Sequence, residues 1–150
     1  MNDTANVEKT SLRMTKTIRA KREKVFQAWT NPNFVKQWFA PGDKSVAMAD
    51  VNAKVGGNYR IQMQDPDGTT YTTRGDYKEI IPNEKLVFSW GWEGPDRYES
   101  LVTILLNDSG EGTELTLIHE RLANTDSVEK HTQGWTGCLA KLAEKIAQFI

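Results

Sequence analysis

The sequence predicts an α+β domain in which a curved antiparallel sheet of seven strands surrounds one long C-terminal helix, with two short helices after the first strand. Three observations carry this reading. Apolar residues alternate with period two from residue 44 to about 120, in runs joined mostly by hairpin-length turns, which describes an antiparallel meander. Between the first alternating run and that meander, the apolar spacing switches to a helical period. From residue 126 onward an apolar stripe recurs at i, i+3, i+4 and i+7. One amphipathic helix must bury such a stripe, and the only large apolar surface available is the inner face of the sheet.

Residues 1–10, MNDTANVEKT, are polar and unpatterned and read as a flexible tail, which leaves residues 11–150 as a single domain. SLRMTKTIRA alternates, with Leu12, Met14 and Ile18 on one face. Lys16 interrupts that face, as at a sheet edge, and an edge near residue 13 is open to pairing. In KREKVFQAW, Val25, Phe26 and Trp29 take helical spacing. TNPNFVKQWFAPG restarts a second short helix, with Asn31 as N-cap, Pro32 at the first helical position and APG as its stop.

KSVAMADV begins the meander. GGNYRIQMQ sets Tyr59, Ile61 and Met63 against Arg60, Gln62 and Gln64. DPDG then signals a hairpin into TTYTTRGDYKEII, where Tyr71, Gly75 and Tyr77 share a register. PNE turns the chain into KLVFSWGW, with Leu86, Phe88, Trp90 and Trp92 on one face, and EGPD turns it again. YESLVTILL is apolar on both faces near its end, which predicts a strand covered on both sides. ELTLIHE groups Leu115, Leu117 and His119. The last helix is expected to start at Asp126, with Glu129 at capping-box spacing. Its stripe comprises Val128, His131, Trp135, Cys138, Leu139, Leu142, Ile146 and Phe149.

Composition removes several functional classes. Charged residues make up 26% of the chain, but no stretch concentrates lysine and arginine as a phosphate-binding surface does, so nucleic acid is not expected as a partner. A single cysteine, Cys138, excludes a disulfide framework within the chain and a cysteine-rich zinc site. No apolar run approaches the roughly 20 residues needed to cross a bilayer. The N-terminus has no apolar segment of a secretion signal, so a cytoplasmic location is expected.

Gly134 and Gly137 flank Trp135 inside the last helix, where each glycine costs roughly 1 kcal/mol relative to alanine. Two readings account for them. Either the helix backbone approaches a neighbour closely, or space is left beside an aromatic wall. Five segments in order, KVFQAWTNPNFVKQWFAP, GGNYRIQMQDPDG, GDYKEIIPNEKLVFSW, GTELTLIHE and HTQGWTGCLAKL, resemble the SRPBCC (START-like) superfamily. More closely, they resemble its branch named after the activator of heat-shock-protein-90 ATPase homologue. The resemblance covers roughly residues 12–150. It implies the helix-grip fold and a hollow between sheet and last helix that holds a small hydrophobic ligand such as a lipid, sterol or polyketide.

The candidate ligand-binding residues are therefore the inward aromatic and apolar positions of the strands, Tyr59, Ile61, Tyr77, Phe88 and Trp90, with His119, and Trp38, His131, Trp135 and Leu139 from the helices. Trp38 and Phe39 are candidates for a lid at the mouth, or for packing beneath the second helix. His119 and His131 are expected to approach each other across the hollow, either as a polar anchor or acid–base pair or as satisfied core side chains. No catalytic residue, metal or cofactor is assigned, because two histidines fall short of the three or four ligands a zinc site needs. Ligand binding without covalent chemistry is the first reading. The alternatives are a cyclase- or hydrolase-type enzyme using a pocket His or Tyr, and a module that binds a chaperone protein and stimulates its ATPase.

Overall fold

Seven strands form a single antiparallel sheet in the order β1-β7-β6-β5-β4-β3-β2 in the computed structural model, which describes residues 10–94 and 98–149. Residues 1–9 of the tail read over 1–10, and part of the EGPD turn, lie outside the described residues. The strands are β1 (Leu12–Ile18), β2 (Ser45–Val51), β3 (Asn58–Gln64), β4 (Thr70–Ile81), β5 (Lys85–Trp92), β6 (Ser100–Ser109) and β7 (Gly112–Glu120). The helices are α1 (Arg22–Thr30), α2 (Pro32–Trp38) and α3 (Thr125–Lys145), the last followed by a short 3-10 turn (Ile146–Gln148). Consecutive strands from β2 to β7 pair as hairpins, and β1 closes the far side against β7, with Leu12 opposite His119. β1 is an edge strand, as the Lys16 interruption implies.

The sheet curls around α3 because its ladder is broken at specific places. Register shifts fall between Val46 and Met48 on β2, and between Tyr77 and Glu79 on β4. Bulges of this kind bend a strand and increase its local twist. A second device sits at Gly75 on β4, where a Cβ would lie 1.8 Å from the Ser89 carbonyl oxygen and 2.9 Å from Tyr59 Cε1. The Tyr59 ring covers the glycine, and its hydroxyl donates to the Ser89 carbonyl at 2.7 Å. The Asp76 backbone N–H turns to the Ser89 hydroxyl at 2.8 Å.

The concave face and α3 share one core. Tyr59, Ile61, Met63, Tyr77, Leu86, Phe88, Trp90, Val102, Ile104, Leu115 and Leu117 are buried from the sheet, and Trp135, Cys138, Leu139 and Leu142 from the helix. α1 and α2 plug one end of the curl. Trp38 donates its indole N–H to the Ala28 carbonyl at 2.8 Å, fastening α2 to α1. Asn31 caps α2 through its side chain, which accepts from the Asn33 N–H at 2.9 Å, and Pro32 occupies the first turn. Phe149 folds back to stack on Phe34 with ring centroids 5.2 Å apart.

Two expectations are corrected. α3 begins at Thr125 with Asn124 as its cap, accepting from the Ser127 N–H at 2.8 Å. Asp126 lies inside the first turn, where its charge favours the positive end of the helix dipole. The alternation of β6 is also simpler than its composition suggests. Val102, Ile104 and Leu106 point into the core, whereas Leu101, Thr103 and Leu105 are half-buried on the convex side. β6 is thus covered fully on one face only.

Candidate functional site

The two glycines of α3 have different causes. A Cβ at Gly137 would lie 2.9 Å from Pro41 Cβ and 3.4 Å from Pro41 Cα, so the helix and the loop after α2 touch backbone to ring. A Cβ at Gly134 would meet nothing within 4 Å. One glycine permits close approach and the other faces open space. We therefore expect Gly134→Ala to stabilise the fold by roughly 0.5–1 kcal/mol through helix propensity. Gly137→Ala should instead destabilise it by roughly 1 kcal/mol or more, because the Pro41 loop must move. Urea unfolding of the two variants checks the difference in sign.

The space beside Gly134 is a cavity of about 1000 Å³ that opens to solvent. The loop after α2 supplies Phe39, Pro41, Gly42, Asp43 and Lys44 to its lining. The strands supply Met63, Tyr71, Trp90 and Trp92. The segment at and after the α3 cap supplies Asn124, Ser127, Lys130, His131, Gly134, Trp135 and Cys138, among others. Strand alternation explains the sheet side. Met63 of β3 faces Tyr71 of β4 near their hairpin, and both belong to the inward register.

The polar groups of the aromatic wall are satisfied by the two histidines of the chain. His131 Nδ1 lies 2.8 Å from the Ser127 carbonyl, which only accepts, so this nitrogen carries the proton. Its Nε2 is then the acceptor for the indole N–H groups of Trp90 at 3.3 Å and Trp92 at 3.2 Å. His119 has the opposite tautomer. Its Nδ1 accepts from the Trp135 indole at 3.0 Å, and its Nε2–H donates at 2.7 Å to the Ser100 hydroxyl, which itself donates to the Trp90 carbonyl at 3.1 Å. The two imidazoles lie 4.9 Å apart, centroid to centroid. Burial pushes His119 down to about 3, with the neighbouring His131 adding to the effect. Burial also lowers His131, opposed by its bond to the Ser127 carbonyl. Both rings are neutral near pH 7 and hold indoles in place. Cys138 is a buried thiol pushed up to about 12 by desolvation, so it is not a nucleophile in waiting.

The rim is polar and internally paired. Lys44 reaches Asp65 at 2.8 Å and lies 5.8 Å above the Tyr71 ring, and the Tyr71 hydroxyl donates to the other oxygen of Asp65 at 2.8 Å. The hydrogen bond to Asp65 holds the Lys44 ammonium above its ordinary value, and Lys44 holds the Asp65 carboxyl below its own. Lys141 donates to the Lys44 carbonyl at 3.1 Å, tying the rim loop to α3. Lys130 pairs with Asp126 at 3.2 Å. Among the described residues no group of three or more His, Cys, Asp or Glu is placed to hold a metal ion, and no helix is long and apolar enough to cross a membrane.

Of the ten residues singled out from the sequence, Trp90, His131 and Trp135 border the cavity. His119 is fully buried one layer behind them and is joined to Trp135. Tyr59, Tyr77 and Phe88 form a ring cluster of their own, with centroids 5.4–6.0 Å apart, and lie with Ile61 further along the strands. Tyr59 and Met63 both point inward, but four residues of strand separate them by about 13 Å. Trp29 packs between the two groups, its ring 6.4 Å from Phe88 and 6.0 Å from Trp135, and Met63 is left to line the cavity. Trp38 and Leu139 are core, and Phe39, next to Trp38, is the one that reaches the cavity. The rim loop 41–44 carried no signal in the sequence. Met63, Tyr71 and Trp92 did, through their inward register.

A curled seven-stranded sheet holding a C-terminal helix, with a cavity at one end of the grip, defines a START-like, helix-grip domain. The profile of the family described as Activator of Hsp90 ATPase homolog 1-like protein matches residues 19–147, and the chain belongs to that family. Solved structures carry the same fold. A protein from Chromobacterium violaceum is 22% identical with a TM-score of 0.85, over 91% of this chain and 96% of that one. The AHSA1 protein from Silicibacter pomeroyi is 26% identical with a TM-score of 0.83, over 92% of this chain and 98% of that one. An AHSA1-like protein from Aeromonas hydrophila is 20% identical with a TM-score of 0.76, over 92% of each chain. A comparison with curated proteins finds no match.

Proposed function

We propose that this protein binds a small hydrophobic molecule in the cavity between the open end of the sheet and the first half of α3, and that it does so without covalent chemistry. The observation that carries this reading is the cavity itself: about 1000 Å³, walled by Phe39, Trp90, Trp92 and Trp135, and kept open by the missing side chain at Gly134. Pockets of this size and lining are the usual form of small-molecule sites. A guest that buries about 500 Å² of apolar surface gains roughly 12 kcal/mol from transfer. Lost freedom on association removes several kcal/mol, leaving about micromolar affinity.

The geometry gives acid–base chemistry less to work with. Both nitrogens of each histidine are already hydrogen-bonded, and the Tyr59 hydroxyl is spent on a backbone carbonyl away from the cavity. We place the enzyme reading and the chaperone-binding reading second to ligand binding, because the residues build a concave, mainly aromatic-walled site that opens to solvent at one side.

Thermal unfolding with a panel of fatty acids, sterols and flat polycyclic compounds tests the proposal. A ligand at 100 times its Kd adds about 2.7 kcal/mol, which for a domain of this size raises Tm by roughly 5–10 °C. Gly134→Phe, which projects a ring into the open space, should abolish the shift while the variant still unfolds cooperatively. Uniform silence of the wild-type protein across the panel would overturn the proposal.

A further inference from the structure

We infer that the cavity takes a flat aromatic guest that carries no anionic group, and that it discriminates against carboxylates such as fatty acids. This rests on the cavity being a ligand site and adds the charge class of what enters. The argument starts from the donors an anion would need. The three tryptophans that line the cavity have committed indole N–H groups, whereas that of Trp29, behind Trp135 and outside the lining, is buried without a partner. Those of Trp90 and Trp92 go to His131 Nε2, and that of Trp135 goes to His119 Nδ1. The one N–H of His131 goes to the Ser127 carbonyl. A carboxylate placed against this wall loses its water and finds no donor in exchange.

The mouth adds the neutral side-chain amides of Asn124 and Gln133 but no unpaired cation to offset the charge of a carboxylate. The cations that line it are Lys44 and Lys130, and each already has a carboxylate partner, Asp65 at 2.8 Å and Asp126 at 3.2 Å. The Tyr71 hydroxyl is given to Asp65 as well. Asp43 adds a further negative charge to the lining. An anion therefore enters a rim whose positive charge is neutralised and whose formal balance is not positive. What remains for recognition is the flat area of the indole and phenyl rings, which a neutral polycyclic molecule covers without desolvating a charge.

The test pairs two probes of one shape, pyrenemethanol and pyrenecarboxylate, titrated by calorimetry at pH 7. We expect pyrenemethanol to bind at least about tenfold more tightly. In Asp65→Asn, which releases the Lys44 ammonium at the mouth, the preference should shrink by about fivefold or more in favour of pyrenecarboxylate. Equal or tighter binding of pyrenecarboxylate by the wild-type protein overturns this inference and leaves the cavity reading standing. An unchanged preference in Asp65→Asn also overturns it, because the paired rim is then not what denies anions a partner. Binding of neither probe overturns this inference, and the cavity reading then stands or falls on the wider thermal-unfolding panel.

Discussion

Acidification from pH 6.5 to 4.5 should destabilise this protein by about 1.4 kcal/mol per pH unit for each histidine that stays neutral in the fold. The chain has two histidines, His119 and His131, and burial depresses both. The sign follows from proton counting. An unfolded histidine takes up a proton near pH 6.5, whereas the folded His119 does so only near 3. Below 6.5 the unfolded state binds more protons, so stability that is complete above that pH falls until the folded group titrates. For His119 alone the loss reaches roughly 4 kcal/mol by pH 3, comparable with a large part of a domain's stability.

The structural cause is specific. A proton on His131 Nε2 would point at two indole N–H donors, and one on His119 Nδ1 would point at a third. Asp65 and Asp67, which are held low by their partners, contribute losses of the same direction at more acid pH. The window from 4.5 to 6.5 therefore isolates the imidazoles. Urea unfolding across that window should show the slope in the wild-type protein. A double variant with glutamine at 119 and 131 keeps a donor and an acceptor at each site, and the slope should be nearly flat. An equal slope in both proteins would mean that the histidines are not held neutral.

Gly75→Ala should cost more than about 3 kcal/mol and leave the domain unfolded or poorly folded at 37 °C. The added Cβ would sit 1.8 Å from the Ser89 carbonyl oxygen, a backbone atom that cannot step aside without β5 moving. It would also press on the Tyr59 ring at 2.9 Å, and Tyr59 donates to that same carbonyl. The substitution thus strikes the close approach of β4 to β5, and with it the Tyr59–Tyr77–Phe88 cluster. Tyr59→Phe is the milder companion. It removes one buried hydrogen bond and should cost about 1–2 kcal/mol while the fold remains. Wild-type-like Tm in Gly75→Ala would refute the close approach.

The architecture is legible in the residues alone, because it is written in periodicity. Alternation at Tyr59, Ile61 and Met63 and at Leu86, Phe88 and Trp90 assigned the inner face residue by residue, and all six are buried. The stripe through Trp135, Leu139 and Leu142 did the same for α3. The start of α3 was misplaced by one residue, because Asn124 and Asp126 are both competent cap residues and only the backbone shows which side chain accepts from an N–H. Residue spacing also marked Gly134 and Gly137 as unusual.

What the tertiary structure alone decided is where along the inward faces the protein is empty. Period two reports the side of a sheet, not the position of a residue relative to whatever caps its end. Tyr59 and Met63 are equivalent by alternation, yet Tyr59 packs against the rings of Tyr77 and Phe88, while Met63 lines the cavity with the loop after α2. The same holds for the two glycines, which the sequence presents as a pair. One is packed against Pro41 and the other looks into the cavity, because the loop after α2 crosses the helix at one turn and not at its neighbour. The histidine tautomers belong to this class too. They are set by carbonyls and indoles that come together only in space, so the neutral rings that order the tryptophan wall could not be read from two isolated letters.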